Sequence, residues 1–261
     1  MGPHTRGLLI GLCNLSLTNR PHWRFVALMF VPPAETVELP NGPAPVTWRR
    51  SARARRVSLR IDPRDGVVVV TLPNRAGRNA GVALVMTHAE WITDRLAALP
   101  CAVPFADGAI VPLHGIAHRI RHAPQTARGV WVDDGTIQVS GQSEFLGRRV
   151  GDFLRAEALR RMRALAGEKA ARCGAAIRRV SVKDTQSRWG SCASDGSIAF
   201  SWRLVMAPAF VQDYVAAHEV AHLRHMDHGK RFWALVGSLT PHAAAAIPWL
   251  RGEGTRLLRF G

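Results

Sequence analysis

The segment His218-Glu219-Val220-Ala221-His222 constrains the local fold more than any other stretch of this sequence. Residues four apart lie on the same face of an α-helix, so a helix brings both imidazoles within reach of one Zn²⁺ at ~2.0–2.1 Å. Pro208 precedes the segment, and the apolar run that follows it contains no Gly or Pro before Leu223. The sequence therefore predicts a helix that offers two metal ligands from one face.

The third ligand is less constrained by the sequence. A catalytic zinc usually has three protein ligands and one open position for water, and Glu219 is placed to act on that water rather than on the metal. The candidates for the third ligand are His225, Asp227, His228 and His242. His225 continues the helical register, which spreads its ring along the helix axis away from the other two. The chain can turn back before His228, so the spacing favours His228.

The cysteine pattern bears on the type of zinc site and on the compartment. The four cysteines stand far apart without a C-x-x-C pair, which argues against a disulfide framework or a Cys-rich zinc finger. The pattern predicts reduced thiols and a cytoplasmic protein. A structural zinc site would need a fourth ligand, which Cys192 could supply. No apolar run reaches the ~18–20 residues of a membrane span, and Leu8–Leu17 lacks a suitable signal cleavage site.

The order of the predicted elements indicates an α+β fold. Residues 1–45 are interpreted as a flexible extension and linker, with Pro and Gly concentrated between Pro32 and Pro45. Strand patterns predict a β-rich lobe over residues 46–142, with a hairpin at 57–72 and one helix at 80–99. Helical patterns dominate residues 143–261, including a long helix over 150–172. Strands gather early and helices late, which is typical of the α+β class.

Further residues are candidates for contacts with the substrate. A zinc-activated water that attacks a carbonyl group develops an oxyanion that needs a hydrogen-bond donor, and Arg188, Tyr214 and His225 are the candidates. Tyr214 lies four residues before His218 and hence on the same helix face, although a buried structural hydroxyl explains it equally well. The alternating stretch Ser197–Leu204 is predicted to be an edge strand that pairs with an extended substrate.

The stretch from Arg188 to Trp233 resembles the YgjP-like family of predicted zinc metallopeptidases, which is related to SprT-type and other small zincins. The similarity is carried by Arg188-Trp189-Gly190-Ser191-Cys192, Ile198–Leu204, Asp213-Tyr214-Val215, His218–His222 and His228–Trp233, and it extends roughly from Trp48 to Leu250. The resemblance implies a zincin-like catalytic domain that hydrolyses peptide bonds of protein or peptide substrates by a zinc-activated water. It also implies that His218, His222 and His228 bind the zinc and that Glu219 is the general base. The chain differs from the family pattern at Val220, Ser201 and the residues flanking His228, and the ligand set is intact.

The basic composition supports an alternative function. Lys+Arg number 35 against 19 Asp+Glu, which gives a formal net charge of +16. Clusters of arginine between 49 and 64 and between 148 and 172 could contact phosphates, as in a nucleic-acid-associated protein with a structural or vestigial zinc site. The arginine excess runs along the whole chain and no aromatic stacking motif accompanies it, so the peptidase interpretation is favoured. Trp189, Trp202 and Trp233 are interpreted as core residues.

Overall fold

The computed structural model describes residues 34–261. The first sheet contains β1 (Glu35–Leu39), β2 (Gly42–Ser51), β3 (Ser58–Asp62) and β4 (Val67–Pro73) in the order β1-β2-β4-β3. β2 runs parallel to β4, and the other two pairs are antiparallel. Helices α1 (Arg78–Thr87) and α2 (Ala89–Ala97) enclose a small core with this sheet.

The linker predicted for residues up to 45 is wrong from Glu35 onward. These residues form β1 and the start of β2, with Leu39 and Ala44 buried and Gly42 making the turn at φ +119°. The prolines at 43 and 45 suggested a linker. They precede Val46, where the pairing of β2 with β4 begins, so their missing N–H groups remove no bond on that side. The predicted extension over residues 1–33 lies outside the described residues.

The single helix predicted over 80–99 is also corrected. The structure has two helices, α1 and α2, that meet at His88, whose backbone (φ −108°, ψ 20°) is not helical. Val85 and Ile92 lie in the same core on either side of the break. The apolar spacing thus persists across His88 although the helix does not.

The second sheet contains β5 (Ile110–Leu113), β6 (Ile116–His122), β7 (Val130–Asp133) and β8 (Thr136–Val139) in the order β5-β6-β8-β7. Its buried residues, among them Ile120 and Ile137, share one core with the long helix α3 (Leu146–Arg172) and with all later elements. The core therefore groups this sheet with the helical part, whereas the sequence grouped it with the first sheet. Strand periodicity shows which face is buried but not which element covers it.

The remaining elements carry the site. β9 (Arg179–Lys183), β10 (Gly190–Cys192) and β11 (Ser197–Ser201) form a small sheet in the order β10-β11-β9, followed by a 3₁₀ turn at Trp202–Met206. The helices α4 (Ala209–Ala221), α5 (Lys230–Leu239), α6 (Ala243–Gly252) and α7 (Gly254–Leu257) complete the fold. Sheets and helices in this arrangement agree with the predicted α+β class. Within residues 34–261, no helix has both the length and the apolar character to cross a membrane.

A buried ion pair fixes α4 against its neighbours. Lys169 of α3 is 2% exposed, and its Nζ lies 2.5 Å from Oδ1 of Asp213 on α4. Nζ also donates to the carbonyl of Leu239 at the end of α5, and the hydroxyl of Thr240 donates to the second Asp213 oxygen at 2.5 Å. Three helices thus meet at one satisfied polar cluster, which sets the position of the helix that bears the H-E-x-x-H segment.

Candidate metal centre

Three histidine side chains converge at the end of α4. His218 lies in the last turn of α4, His222 follows its final residue, and His228 belongs to the turn that leads into α5. Nε2 of His218 and Nε2 of His228 are 3.3 Å apart, and the ligating atoms of all three lie within 4.8 Å of one another. Two nitrogens bound to a tetrahedral zinc at ~2.05 Å are separated by about 3.4 Å. The cluster therefore has the donors and the spacing for one zinc ion.

The protonation states of two rings suit metal binding. Nδ1 of His222 lies 3.0 Å from the carbonyl oxygen of His225. A carbonyl only accepts, so Nδ1 carries the proton and Nε2 keeps its lone pair for a metal. Burial lowers the pKa of His218 to about 4, with a further contribution from His222 and His228. Burial also lowers the pKa of His222, against the opposing effect of its bond to His225. His218 is thus neutral near pH 7, and the shift for His222 also favours the neutral ring.

Two aromatic residues of α5 complete the surroundings of the cluster. The fully buried Phe232 packs against all three imidazoles, with ring centroids 4.6–5.0 Å away. The interpretation of Trp233 as a core residue is wrong, because it is 43% exposed and its ring lies 6.0 Å from those of His218 and His228. As the next residue on the helix, Trp233 turns its side chain away from the core that holds Phe232. Trp202, by contrast, is buried as predicted.

Glu219 lies next to the cluster without belonging to it. The side chain is buried, and this burial raises the pKa of its carboxyl group to about 7, although the positive charge of Arg188 acts to lower it. Gly190 of β10 packs directly on this carboxylate. A Cβ at Gly190 would lie 2.5 Å from Cγ and 2.6 Å from Cδ of Glu219, so a side chain cannot be accommodated without movement. No local sequence pattern marks Gly190 for this contact, although the residue lies within the stretch that carries the family resemblance.

The other predicted substrate contacts take different positions. Tyr214 is buried, with its ring 5.9 Å from that of His218. Burial raises the pKa of its phenol, as does the charge of Glu219, while Arg251 acts in the opposite direction. Arg188 is exposed in the loop before β10. His225 contributes its backbone carbonyl to His222, and this is the contact that ties it to the cluster.

The cluster contains only one of the four candidates for the third ligand. Among residues 34–261, no fourth His, Cys, Asp or Glu joins His218, His222 and His228. Asp227, His242 and the ring of His225 stay outside, and so does Cys192, the candidate for closing a structural site. Burial raises the pKa of the Cys192 thiol to about 11, with Glu219 and Asp195 adding to the effect. Three histidines that could hold a metal ion thus meet at this point.

The edge strand beside Glu219 is β10, and not the predicted stretch Ser197–Leu204. β11, which covers most of Ser197–Leu204, lies between β10 and β9 and is paired on both sides. Ser201 donates to the carbonyl of Trp189, and Ala193 donates to the carbonyl of Ser197. Because bonding directions alternate along an antiparallel strand, Gly190 and Cys192 turn their backbone groups toward the open edge. The prediction for β11 is therefore wrong, and among residues 34–261 the free edge belongs to the strand that touches Glu219.

A comparison with protein-family models identifies the family. The model of the YgjP-like metallopeptidase domain matches residues 55–253, which is most of the chain. The chain belongs to the YgjP-like family. The resemblance seen between Arg188 and Trp233 is thereby confirmed, and membership in a metallopeptidase family agrees with a cluster of three histidines that can hold a metal. Searches of curated proteins and of solved structures gave no significant match.

Proposed function

We propose that this protein is a zinc-dependent peptidase that cleaves peptide bonds with Glu219 as the general base. The observation that supports it most directly is the 3.3 Å separation of the Nε2 atoms of His218 and His228, which matches two ligands of one tetrahedral zinc. The carboxyl group of Glu219 follows His218 on the same helix and is not part of the ligand cluster.

The zinc ligands in this proposal are His218, His222 and His228. Bound zinc supplies Lewis acidity, which polarises a carbonyl group and makes water a nucleophile near neutral pH. The protein contributes a neutral imidazole at His218, a fixed ring orientation at His222 and apolar packing from Phe232. Since the described residues add no fourth ligand, three protein side chains would hold the ion, as is usual at a catalytic zinc.

Glu219 moves the proton in this scheme. Its carboxylate takes a proton from the attacking water and later delivers it to the nitrogen of the leaving amine. A group is most effective in both directions when its pKa is near the working pH, and burial brings the pKa of Glu219 to about 7. Gly190 holds this carboxylate in place by direct packing.

The substrate lies along β10 in this proposal. The open backbone groups of Gly190 and Cys192 can pair with an extended peptide, which would pass beside Glu219. Tyr214 and Arg188 are candidates for stabilising an oxyanion, because the ring of Tyr214 lies 5.9 Å from that of His218 and the charge of Arg188 acts on Glu219. The ring of His225 is a third candidate. The cytoplasmic location and the role of each donor remain predictions from the sequence.

The proposal is tested with zinc-loaded protein and a pool of cellular peptides analysed by mass spectrometry. The wild type should produce new peptide termini, and Glu219→Gln should retain one zinc per chain but produce none. His218→Ala should lose most of the zinc. Arg163→Gln, an exposed change on α3, serves as the matched control and should behave as the wild type. Equal cleavage by Glu219→Gln and the wild type would overturn the assigned base, and full zinc retention by His218→Ala would overturn the assigned ligands.

The nucleic-acid-associated alternative is not favoured. It requires a structural or vestigial zinc site, which is normally closed by a fourth protein ligand, and the described residues place none in the cluster.

A further inference from the structure

Two clefts lie along the edge of the first sheet, between β3 and the helices α1 and α2. The first, of about 510 Å³, is lined by Leu59 of β3, Leu84 of α1 and Trp91 of α2. The second, of about 390 Å³, is lined by Ile61 of β3 and Arg95 of α2. Leu59 and Ile61 are two residues apart and share one face of β3, while Trp91 and Arg95 are about one turn apart on α2. The clefts therefore follow each other along the same strand and the same helix, and together they are here called the β3 groove.

The strand beside this groove has an open edge. The sheet order β1-β2-β4-β3 gives β3 a single strand neighbour, β4. Within residues 34–261, the backbone of Ser58–Asp62 has one further hydrogen bond, from the N–H of Gly66 in the following turn to the carbonyl of Asp62. Every second residue of an edge strand turns its N–H and C=O groups away from its partner. β3 thus offers backbone donors and acceptors to an added strand.

The first cleft keeps an apolar surface. Trp91 is 46% exposed, whereas the next residue, Ile92, is fully buried, so α2 uses one side chain for the core and leaves the other in the groove. Leu59 and Leu84 are only partly buried and line the same cleft. Exposed tryptophan in a pocket is the type of residue that most often dominates a binding interface. An apolar side chain from another molecule can cover this surface.

Positive charges lie at both ends of the groove. Arg56 precedes β3 and lines the first cleft, while Arg95 and Arg251 line the second. All three side chains are exposed, and none takes part in the ion pairs formed among residues 34–261. Neither cleft has an Asp or Glu among its described lining residues. Exposed cations without an internal partner favour acidic groups on a ligand, at a low cost in desolvation.

We propose that the β3 groove binds an extended peptide segment of another protein, which adds a strand to β3. Its central apolar side chain lies against Trp91, and acidic side chains two positions away on either side face Arg95 and Arg56. The inference goes beyond the peptidase function and does not rest on it, because no residue of the metal centre lines the groove.

The spacing of the groove fits one strand. Two residues of a strand advance by about 6.6 Å, and the four residues from Trp91 to Arg95 advance by about 6 Å along α2. Successive side chains on one face of an added strand therefore reach the two clefts in turn. In this mode of recognition, backbone pairing supplies affinity and the alternate side chains supply specificity.

The first test measures binding by fluorescence polarisation. The probe is a short fluorescein-labelled peptide of Ser and Thr with a central Leu and a Glu two positions away on each side. The full chain is kept metal-free with EDTA so that it does not cleave the probe. Replacing the Leu with Ser, or both Glu with Lys, should each weaken binding at low salt by at least about tenfold. The absence of binding, or equal binding of the three peptides, would overturn the inference.

A second test examines the backbone pairing. Every second N–H of an added strand faces its neighbour, and the others face away. We therefore compare probes with an N-methyl group on the central Leu or on the residue after it. One of the two should bind at least about tenfold more weakly, and the other should stay within about twofold of the parent probe. Equal effects of the two methyl groups would refute strand addition.

Variants of the protein assign the binding to the groove. Trp91→Ala and Arg95→Gln should each weaken binding of the parent probe by about tenfold at low salt. The matched controls are Met86→Ala, which is 45% exposed on α1, and the exposed Arg55→Gln, and neither residue lines the groove. Thermal melting checks that all four proteins are folded. Unchanged affinity in Trp91→Ala, or equal losses in the controls, would refute the assignment.

Three further measurements test other occupants. The Glu219→Gln protein should bind the probe equally well with and without zinc, and a requirement for zinc would place the peptide at the metal centre instead. Trp91→Ala should keep the oligomeric state of the wild type in sedimentation, whereas a dimer that dissociates in this variant would assign the groove to a second copy of the chain. Single-stranded DNA, which has no N–H and C=O pattern for β3, should not displace the probe. Displacement by this DNA would contradict the proposal and favour a nucleic acid.

Discussion

Replacing Gly190 with Ala tests how tightly the general base is positioned. The new methyl group would lie 2.5 Å from Cγ and 2.6 Å from Cδ of Glu219, whereas carbon atoms in contact are about 3.5 Å or more apart. Either the carboxyl group or β10 must therefore move by about 1 Å. A displacement of this size at a catalytic group can lower the rate about 100-fold. Overpacking of the site should also reduce the free energy of unfolding by about 1–3 kcal/mol.

The assay measures kcat for a peptide that the wild type cleaves, together with zinc content and urea unfolding. We expect kcat to fall about 100-fold. Zinc content should be unchanged, because the three atoms nearest to the added methyl group all belong to Glu219 and none to the three histidines. Gly237→Ala on α5 is the matched control, since its added Cβ would have no neighbour within 4 Å. A Gly190→Ala protein that keeps kcat within twofold of the wild type would show that Gly190 does not hold the base in its working position.

Two further predictions concern buried groups near the site. Asp213→Ala leaves the Lys169 charge buried and should lower the free energy of unfolding in urea by about 3–5 kcal/mol. Adding Lys169→Met should recover part of this loss. A loss below about 1 kcal/mol for Asp213→Ala would contradict the assigned pair. Burial raises the thiol pKa of Cys192 from 9.0 to about 11, so near pH 7.5 it has about 100-fold fewer thiolates than an ordinary cysteine. Iodoacetamide should therefore label the exposed Cys101 long before Cys192, as followed by peptide mass spectrometry, and equal labelling rates would refute the shift.

The parts of the site that depend on local spacing were predictable from the sequence. The positions of His218 and His222 follow from helical geometry, and the turn before α5 made His228 the favoured third candidate. The placement of Gly190 depends on the packing of β10 against α4, which are separate elements, and no local pattern contains that contact.

The errors in the fold have a similar origin. Trp233 was predicted to lie in the core because its side chain is hydrophobic, but residue type alone does not show which side of a short helix is buried. Alternation in 197–204 correctly predicted a strand, but whether a strand lies at the edge or in the centre depends on its partners. The prolines of β2 suggested a linker. Proline disfavours a strand only where its missing N–H would face a paired neighbour, and the sequence does not show which side of the strand is paired.

The third imidazole depends on a neighbouring helix for its position. His228 lies outside α4, and its ring packs on Phe232, which is held in the core by α5. A chain in which α5 has not yet docked would therefore offer a metal ion only two ligands, His218 and His222. Assembly of the complete triad therefore requires α5 to be docked, and local detachment of α5 would disperse it.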